Sequence, residues 1–193
     1  MSTSPPGIIG EAIPWSVAWT GEMSFRLAPS TDFPGYTDLI QIEKPGVGEP
    51  RFAALHITRH RRAMVGHLCH VCGEPTPPGD RFLFPLESGG MVPLGDGTFR
   101  YGGNIPPVHG ACAEKARARC PHLRGFAGVL EPFPKEPGRV VQRTDVVPGI
   151  EAIARTMPPG VPVIYTCYRL HEEPFTNRVL ALQAEHGLHR PRD

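Results

Sequence analysis

The sequence predicts a mixed α+β fold made of short elements. Two pairs of possible metal ligands, Cys69/Cys72 and His109/Cys112, each have two residues between their members. They flank a segment that has the pattern of a β-hairpin. The 24 prolines and 22 glycines among 193 residues are mixed with apolar residues, which indicates many turns rather than disorder. The hydrophobic content of 40% is enough for a buried core, so we expect the chain to pack as one globular unit.

Residues 1–50 are predicted to form an N-terminal β-rich segment. Apolar and small residues alternate over residues 13–19 and again over residues 23–27, and the break between them favours a hairpin. A further short strand is expected at residues 38–43. This segment carries no chemical motif, so it is expected to contribute to the core rather than to a site.

Residues 51–73 contain arginines and histidines but no aspartate or glutamate. Thr58 is expected to cap a helix that presents Arg59, Arg61 and Arg62 to solvent. These three arginines are the candidate contacts to nucleic acid or another anionic partner. The alternative is one helix face whose charges are balanced by acids elsewhere in the fold.

The strongest motif is the pair Cys69/Cys72 with Gly73 directly after it, which His109/Cys112 repeat at the start of a predicted helix. Paired soft ligands at this spacing are typical of tetrahedral zinc sites, so these two cysteines together with His109 and Cys112 are the predicted Zn²⁺ ligands. The glycine lets backbone amides turn toward the sulfurs, and the positive end of the helix favours thiolate. A single such cysteine pair also occurs in redox proteins, but the second pair favours metal.

The segment between the two ligand pairs is predicted to form strands. Residues 81–86, 91–94 and 98–101 have strand patterns, and a helix is expected over residues 109–119. A zinc knuckle, a hairpin and a helix that carries the second ligand pair follow one another in that order. This order predicts a treble-clef zinc finger for residues 51–125.

Other cysteines and histidines compete for the role of ligand. If the helix continues from Cys112, Cys120 lies roughly 12 Å further along its axis, so both thiols cannot reach one ion. His67 precedes the first cysteine pair, His70 lies between its two cysteines, and both are alternatives to His109. A filled four-ligand site has no open position for water, so the zinc is expected to be structural rather than catalytic.

Residues 126–193 are predicted to form a C-terminal β-α-β-α layer. Strands are expected at 126–130, 139–142 and 161–170, an amphipathic helix at 146–157, and a last helix that begins at Pro174. The long apolar strand and the helix before it favour parallel pairing between the last two strands.

The composition limits the classes of function. The chain has 20 lysines and arginines and 19 aspartates and glutamates, so its net charge is close to zero. The net charge therefore gives no indication of a nucleic-acid or membrane partner. The sequence has neither a secretory signal nor an apolar run long enough to cross a bilayer, so we expect a cytoplasmic protein without a membrane partner. In a reducing compartment, five cysteines are better explained by metal than by disulfides.

Several segments resemble a family of uncharacterised actinobacterial and actinophage proteins. They are residues 60–64 (His-Arg-Arg-Ala-Met), 68–73 (Leu-Cys-His-Val-Cys-Gly), 106–113 (Pro-Pro-Val-His-Gly-Ala-Cys-Ala) and 120–123 (Cys-Pro-His-Leu). The resemblance covers about residues 50–125, and a cysteine usually stands in that family at the position of His109, a replacement that zinc tolerates. It implies a zinc site and an actinobacterial or bacteriophage setting, but no activity.

We therefore expect a zinc-stabilised binding protein that recognises nucleic acid or a protein partner without sequence specificity, rather than an enzyme. The sequence lacks a nucleophile elbow, a phosphate-binding loop and a metalloprotease helix motif. One alternative is an enzyme with its site at the ends of the C-terminal strands, near Arg169, His171, Glu172 and Glu173. The other is a phage or mobile-element protein that modulates a host protein.

Overall fold

The computed structural model describes residues 9–10, 12–123, 125–135, 139–143, 163–164 and 166–187, and these form a mixed α+β fold, as predicted. The helices are α1 (Ile57–Gly66), α2 (Pro85–Ser88), α3 (Gly110–Arg119) and α4 (Glu173–Glu185). The strands are β1 (Val17–Trp19), β2 (Phe25–Pro29), β3 (Thr37–Gln41), β4 (Pro50–Leu55), β5 (Phe82–Leu83), β6 (Gly89–Pro93), β7 (Phe99–Gly103), β8 (Glu131–Pro132), β9 (Arg139–Arg143), β10 (Val163–Ile164) and β11 (Thr166–Leu170). Within the described ranges, every helix is too short or too polar to cross a bilayer.

The strands form several small sheets, most of them antiparallel. The sheet orders are β1-β4, β10-β3-β2, β6-β7-β11-β9 and β5-β8, and only the pairing of β10 with β3 is parallel among the described strands. The prediction of a hairpin formed by residues 13–19 and 23–27 is wrong, because β1 and β2 belong to different sheets. The short helical turn Thr20–Glu22 separates them and directs the Glu22 carboxylate into the core.

The central hairpin is confirmed as β6 and β7. In its turn, Gly97 has a φ of +81°, and Asp96 Oδ1 accepts the backbone N–H of Thr98 at 2.9 Å. The strand expected at residues 81–86 is shorter than predicted, since it is limited to β5. Pro85 ends it because proline, which lacks an N–H and has a fixed φ, begins the helical turn α2 instead.

The parallel pairing expected in the C-terminal layer is wrong. β9 and β11 are antiparallel, with Thr166 opposite Arg143 and Leu170 opposite Arg139. Cys167 and Arg169 of β11 are buried because the strand is central in its sheet and packs against α1, so burial did not require parallel neighbours. Instead of the strand expected at 126–130, a short helical turn forms at Gly125–Gly128.

The two helices expected in this layer differ in outcome. The last helix is confirmed as α4, which begins at Glu173 and has Pro174 in its first turn. Its buried residues Phe175 and Val179 pack against Tyr101 of β7. The helix expected at 146–157 lies outside the described residues.

A buried ion pair joins the N-terminal strands to α1. Arg59 donates from Nη1 to Glu22 Oε1 at 2.6 Å and from Nη2 to Glu22 Oε2 at 2.8 Å, and both side chains are buried. The same carboxylate accepts the backbone N–H groups of Trp19 and Lys44, and Arg59 also donates to the Val17 carbonyl. Burial acts to raise the pKa of Glu22, but the hydrogen bonds from Arg59 and the two amides outweigh it and keep that pKa below its ordinary value.

The predicted exposure of the α1 arginines is wrong for Arg59 and Arg61 and confirmed for Arg62. Arg59 and Arg61 are only 0% and 3% exposed, and Arg61 Nη1 lies 3.3 Å from Asp38 Oδ2. Arg62 keeps 49% of its side chain exposed, but its Nη2 lies 2.8 Å from Glu43 Oε2. The three carboxylates come from the N-terminal segment, outside the acid-free stretch, so the alternative of charges balanced elsewhere in the fold is the one observed.

The N-cap of α1 is His56 and not Thr58. His56 Nδ1 accepts the backbone N–H of Arg59 at 3.2 Å, although histidine is not among the preferred capping residues. Thr58 Oγ1 instead accepts the N–H of Gln41 and donates to the Gln41 carbonyl. Gln41 Oε1 in turn accepts the N–H of Ile57, so the end of β3 and the start of α1 satisfy each other's backbone groups.

His60 links α1 to the end of the central hairpin. Its ring is 2% exposed, and Nε2 lies 2.5 Å from the Asn104 carbonyl oxygen, so Nε2 carries the proton and donates. Burial lowers the pKa of His60 to about 4, which outweighs the hydrogen bond to that carbonyl. The ring is therefore neutral in the folded protein at neutral pH.

We expect Glu22→Gln to lower the free energy of unfolding by roughly 3–5 kcal/mol, because it leaves the Arg59 charge buried without a counter-charge. Urea unfolding at pH 7 measures the change. Glu43→Gln is the matched control, since it removes the partner of a half-exposed arginine and should cost less than about 1 kcal/mol. Equal losses at the two sites would contradict the role assigned to the buried pair.

We also expect the free energy of unfolding to fall as the pH decreases from 6.5 toward about 4, the interval between the ordinary pKa of histidine and that of His60. In this interval the unfolded chain binds a proton that folded His60 excludes, so acid favours unfolding. His171, whose pKa is lowered to about 3 by burial and by the neighbouring Arg169, acts in the same direction. His60→Gln should reduce the pH slope. An unaltered slope in His60→Gln would show that another group controls acid stability.

Candidate metal centre

Cys69 and Cys72 lie on a tight turn that follows α1. His67 closes the helix in the left-handed conformation, with a φ of +52°, and thereby turns the chain toward Cys69. Gly73 has a φ of +82°, and a Cβ atom there would lie 2.7 Å from the ring of Trp15. Glycine is thus required at this position by both the backbone conformation and the space beside it.

His109 and Cys112 come from the start of α3. His109 is the N-cap residue and Cys112 lies in the first turn, as predicted. The His109 ring makes no capping hydrogen bond; instead, Asp80 Oδ1 accepts the N–H of Gly110 at 2.7 Å. Because Asp80 takes over the capping role, the histidine ring is available to face the cysteines.

The four predicted ligands converge on one point. The three Sγ atoms and one ring nitrogen of His109 all lie within 4.8 Å of one another. His109 Nδ1 is 3.4 Å from Cys72 Sγ and 4.0 Å from Cys112 Sγ. Sulfur and nitrogen ligands placed tetrahedrally around one ion lie roughly 3.4–3.8 Å apart, so the cluster is close to the size that a bound ion requires. Cys69, Cys72, His109 and Cys112 can therefore hold one metal ion.

The orientation of the His109 ring is set by a backbone carbonyl. Nε2 lies 3.1 Å from the Pro75 carbonyl oxygen, which can only accept a hydrogen bond. Nε2 therefore carries the proton, and Nδ1 presents its lone pair to the sulfurs. The sequence did not indicate this contact or the Asp80 cap, because they join residues 34 and 30 positions apart.

The cluster lies against an apolar core. Cys69 is 0% exposed, and Val71 and Val108 are among the buried residues that pack around the thiols. Burial and the neighbouring Cys69 and Cys72 raise the pKa of Cys112 to about 12. Thiolates at such spacing need a positive ion among them, and three sulfurs with one imidazole suit a soft or borderline transition metal.

The competing ligands lie outside the cluster. Cys120 is the C-cap of α3, at the opposite end of the helix. His70 Nδ1 is 2.5 Å from Ser16 Oγ, and the His67 ring packs edge-on against Phe133 with 5.5 Å between ring centroids. Across the described ranges, no second group of three or more His, Cys, Asp or Glu side chains is arranged for a metal ion.

The residues named for the alternative enzyme site are not brought together at an open cleft. Arg169 and His171 are 5% and 3% exposed, and both pack against the ring of Phe133. Glu172 and Glu173, in contrast, are exposed at the start of α4. The arginine and the histidine are therefore part of the core beneath the helix, while the carboxylates face outward.

Comparison with known proteins gives no match of any of three kinds. No protein-family model matches the sequence, and neither a curated protein nor a solved structure matches it. The resemblance of residues 50–125 to actinobacterial and actinophage proteins thus stays a prediction. The chemistry of the centre has to be inferred from its own residues, and these form a cluster of three cysteines and one histidine that can hold a metal ion.

Proposed function

We propose that the protein is a zinc-stabilised binding protein and that its metal centre is structural. The observation that carries this proposal is the convergence of three sulfurs and one imidazole nitrogen within 4.8 Å. Four protein ligands complete a tetrahedral Zn²⁺ site and leave no position for water or substrate, which is the arrangement of structural rather than catalytic zinc.

Zinc is the proposed metal because of the donor types. Thiolate and imidazole together favour tetrahedral Zn²⁺, whereas carboxylate, carbonyl and water oxygens suit Mg²⁺ and Ca²⁺. The order of elements supports a treble-clef arrangement: the Cys69/Cys72 turn comes first, the β6–β7 hairpin follows, and α3 carries His109 and Cys112. In this arrangement the ion joins the end of α1 to the start of α3, so metal binding contributes directly to folding.

The pairing of the α1 arginines favours a protein partner over nucleic acid. Arg59 and Arg61 are buried against carboxylates, so neither side chain is placed to neutralise a phosphate. Arg62 is half exposed but already paired with Glu43. Of the three predicted phosphate contacts, only Arg62 is accessible, and one contact gives weak, unspecific binding at most.

We expect one equivalent of zinc per chain in protein produced with zinc in the medium, measured by elemental analysis. Cys72→Ser should lower the content below about half an equivalent, because it removes one of four ligands. Cys120→Ser is the matched control, since this thiol lies outside the cluster, and it should keep the full equivalent. Tetrahedral Co²⁺ absorption after metal exchange should follow the same pattern. Metal-free wild type, or equal loss in both variants, would refute the centre.

We expect no retardation of duplex DNA, single-stranded DNA or RNA by micromolar protein at low salt, because the α1 arginines are neutralised within the fold. Retardation that weakens in Arg62→Ala, with the salt slope reduced by about one, would restore the nucleic-acid hypothesis. Arg178→Ala is the matched control, since Arg178 is also an exposed arginine held by a single carboxylate, that of Glu131.

A further inference from the structure

An apolar groove runs along the outside of the metal centre. It encloses about 860 Å³ between β1 and β4 on one side and residues 104–106 with the end of α3 on the other. Val71, Val108 and Ala116 line the groove and also pack around the metal-binding cysteines. The floor of the groove is thus the outer surface of the core that surrounds the centre, and its volume falls in the range of ligand-binding pockets.

Phe52 of β4 stands at this groove with 66% of its surface exposed, more than any other large apolar residue in the described ranges. An aromatic ring exposed beside an apolar groove is unfavourable in water and is typical of the anchor residues of binding surfaces. The feature therefore indicates a partner that covers the ring.

The backbone of β4 offers a second element of recognition. β1 is its neighbour on one edge, and no described strand pairs with the other edge. The register with β1 shifts from Val17 opposite Leu55 to Ala18 opposite Arg51, so Phe52, Ala53 and Ala54 form a bulge in β4. Unpaired N–H and C=O groups on such an edge can bind an extended peptide as an additional strand. Phe52 in this bulge and Leu55 at its end both line the groove, so a chain added along β4 would contact both side chains.

The charge of the groove indicates the composition of that peptide. Lys115, Arg119 and His122 line the groove near the end of α3, and among the described residues of the lining there is no aspartate or glutamate. Lys115 and His122 are exposed, so a carboxylate of a partner can reach them. The groove is therefore apolar along its length and positive at one end.

We propose that this groove binds an extended peptide segment of a protein partner in which apolar side chains stand beside acidic ones. The apolar walls and Phe52 receive the apolar side chains, the edge of β4 that no described strand occupies pairs with the peptide backbone, and Lys115 pairs with a carboxylate. This inference rests on the proposed binding function and names the class of its partner.

The test is selection of a random dodecapeptide library, displayed on phage, against the zinc-loaded full-length protein. Enriched peptides should combine aspartate or glutamate with large apolar residues, and synthetic copies should bind in fluorescence anisotropy. Phe52→Asp should weaken that binding at least about tenfold, because an anchor residue contributes a large share of the affinity. Phe99→Asp is the matched control: Phe99 is 56% exposed on β7, outside the groove, and its replacement should change the affinity by less than about twofold.

Two charge-reversal variants test whether the positive end of the groove contributes to peptide binding. Lys115→Glu should weaken binding of the acidic peptides, whereas Lys135→Glu, which alters an exposed lysine outside the groove lining, should not. The inference is overturned if no peptide is enriched, if the enriched peptides lack acids, or if they bind Phe52→Asp as tightly as wild type. It is also overturned if an oligonucleotide rather than a peptide binds in a Phe52-dependent way. Zinc content is measured on the wild type and on each variant, so that failure of the groove can be distinguished from failure of the proposed function. A metal-free wild type would refute the proposed zinc-stabilised function, whereas loss of peptide binding in a zinc-loaded protein concerns the groove.

Discussion

The buried pair of Glu22 and Arg59 is the constraint on which the position of α1 depends. A buried carboxylate is tolerated only when its lone pairs are satisfied, and this one accepts from Arg59 and from the backbone amides of Trp19 and Lys44. Two separate stretches of chain, residues 17–22 and the loop at Lys44, are therefore held at fixed distances from α1. Because α1 leads through the left-handed residue His67 directly into the cysteine turn, the ion pair also orients the first half of the metal centre.

The ligands of the metal centre could be predicted from the sequence, whereas the partners of the arginines could not, and the difference is one of distance along the chain. Each cysteine or histidine pair is a local motif whose spacing follows from a tight turn or a helix start. Arg59 and Arg62, in contrast, bind carboxylates 37 and 19 positions away. The absence of aspartate and glutamate from residues 51–73 describes only the local charge of that stretch. In the folded protein the carboxylates that pair with its arginines come from the N-terminal segment.

The same distinction explains the errors in the C-terminal layer and at the start of α1. An apolar strand indicates burial, but burial does not specify whether its neighbours are parallel, and β11 is covered by α1 and flanked by antiparallel strands. Thr58 has the preferred chemistry for a cap, yet its hydroxyl bonds to Gln41 of β3, and His56 takes the capping position. In both places a tertiary contact decides between local alternatives that the sequence leaves equivalent.

The proposed zinc ion and the proposed peptide groove share one small core, and this links metal binding to recognition. Val71 and Val108 contact the cysteines on one side and form the groove floor on the other, so the same apolar side chains serve both surfaces. A cluster of this size buries too little apolar surface to hold two chain segments together without a cross-link. The ion would hold the end of α1 against the start of α3 and thereby hold the groove walls apart at a fixed width. In such a protein the metal would act on the partner through shape alone, without touching it.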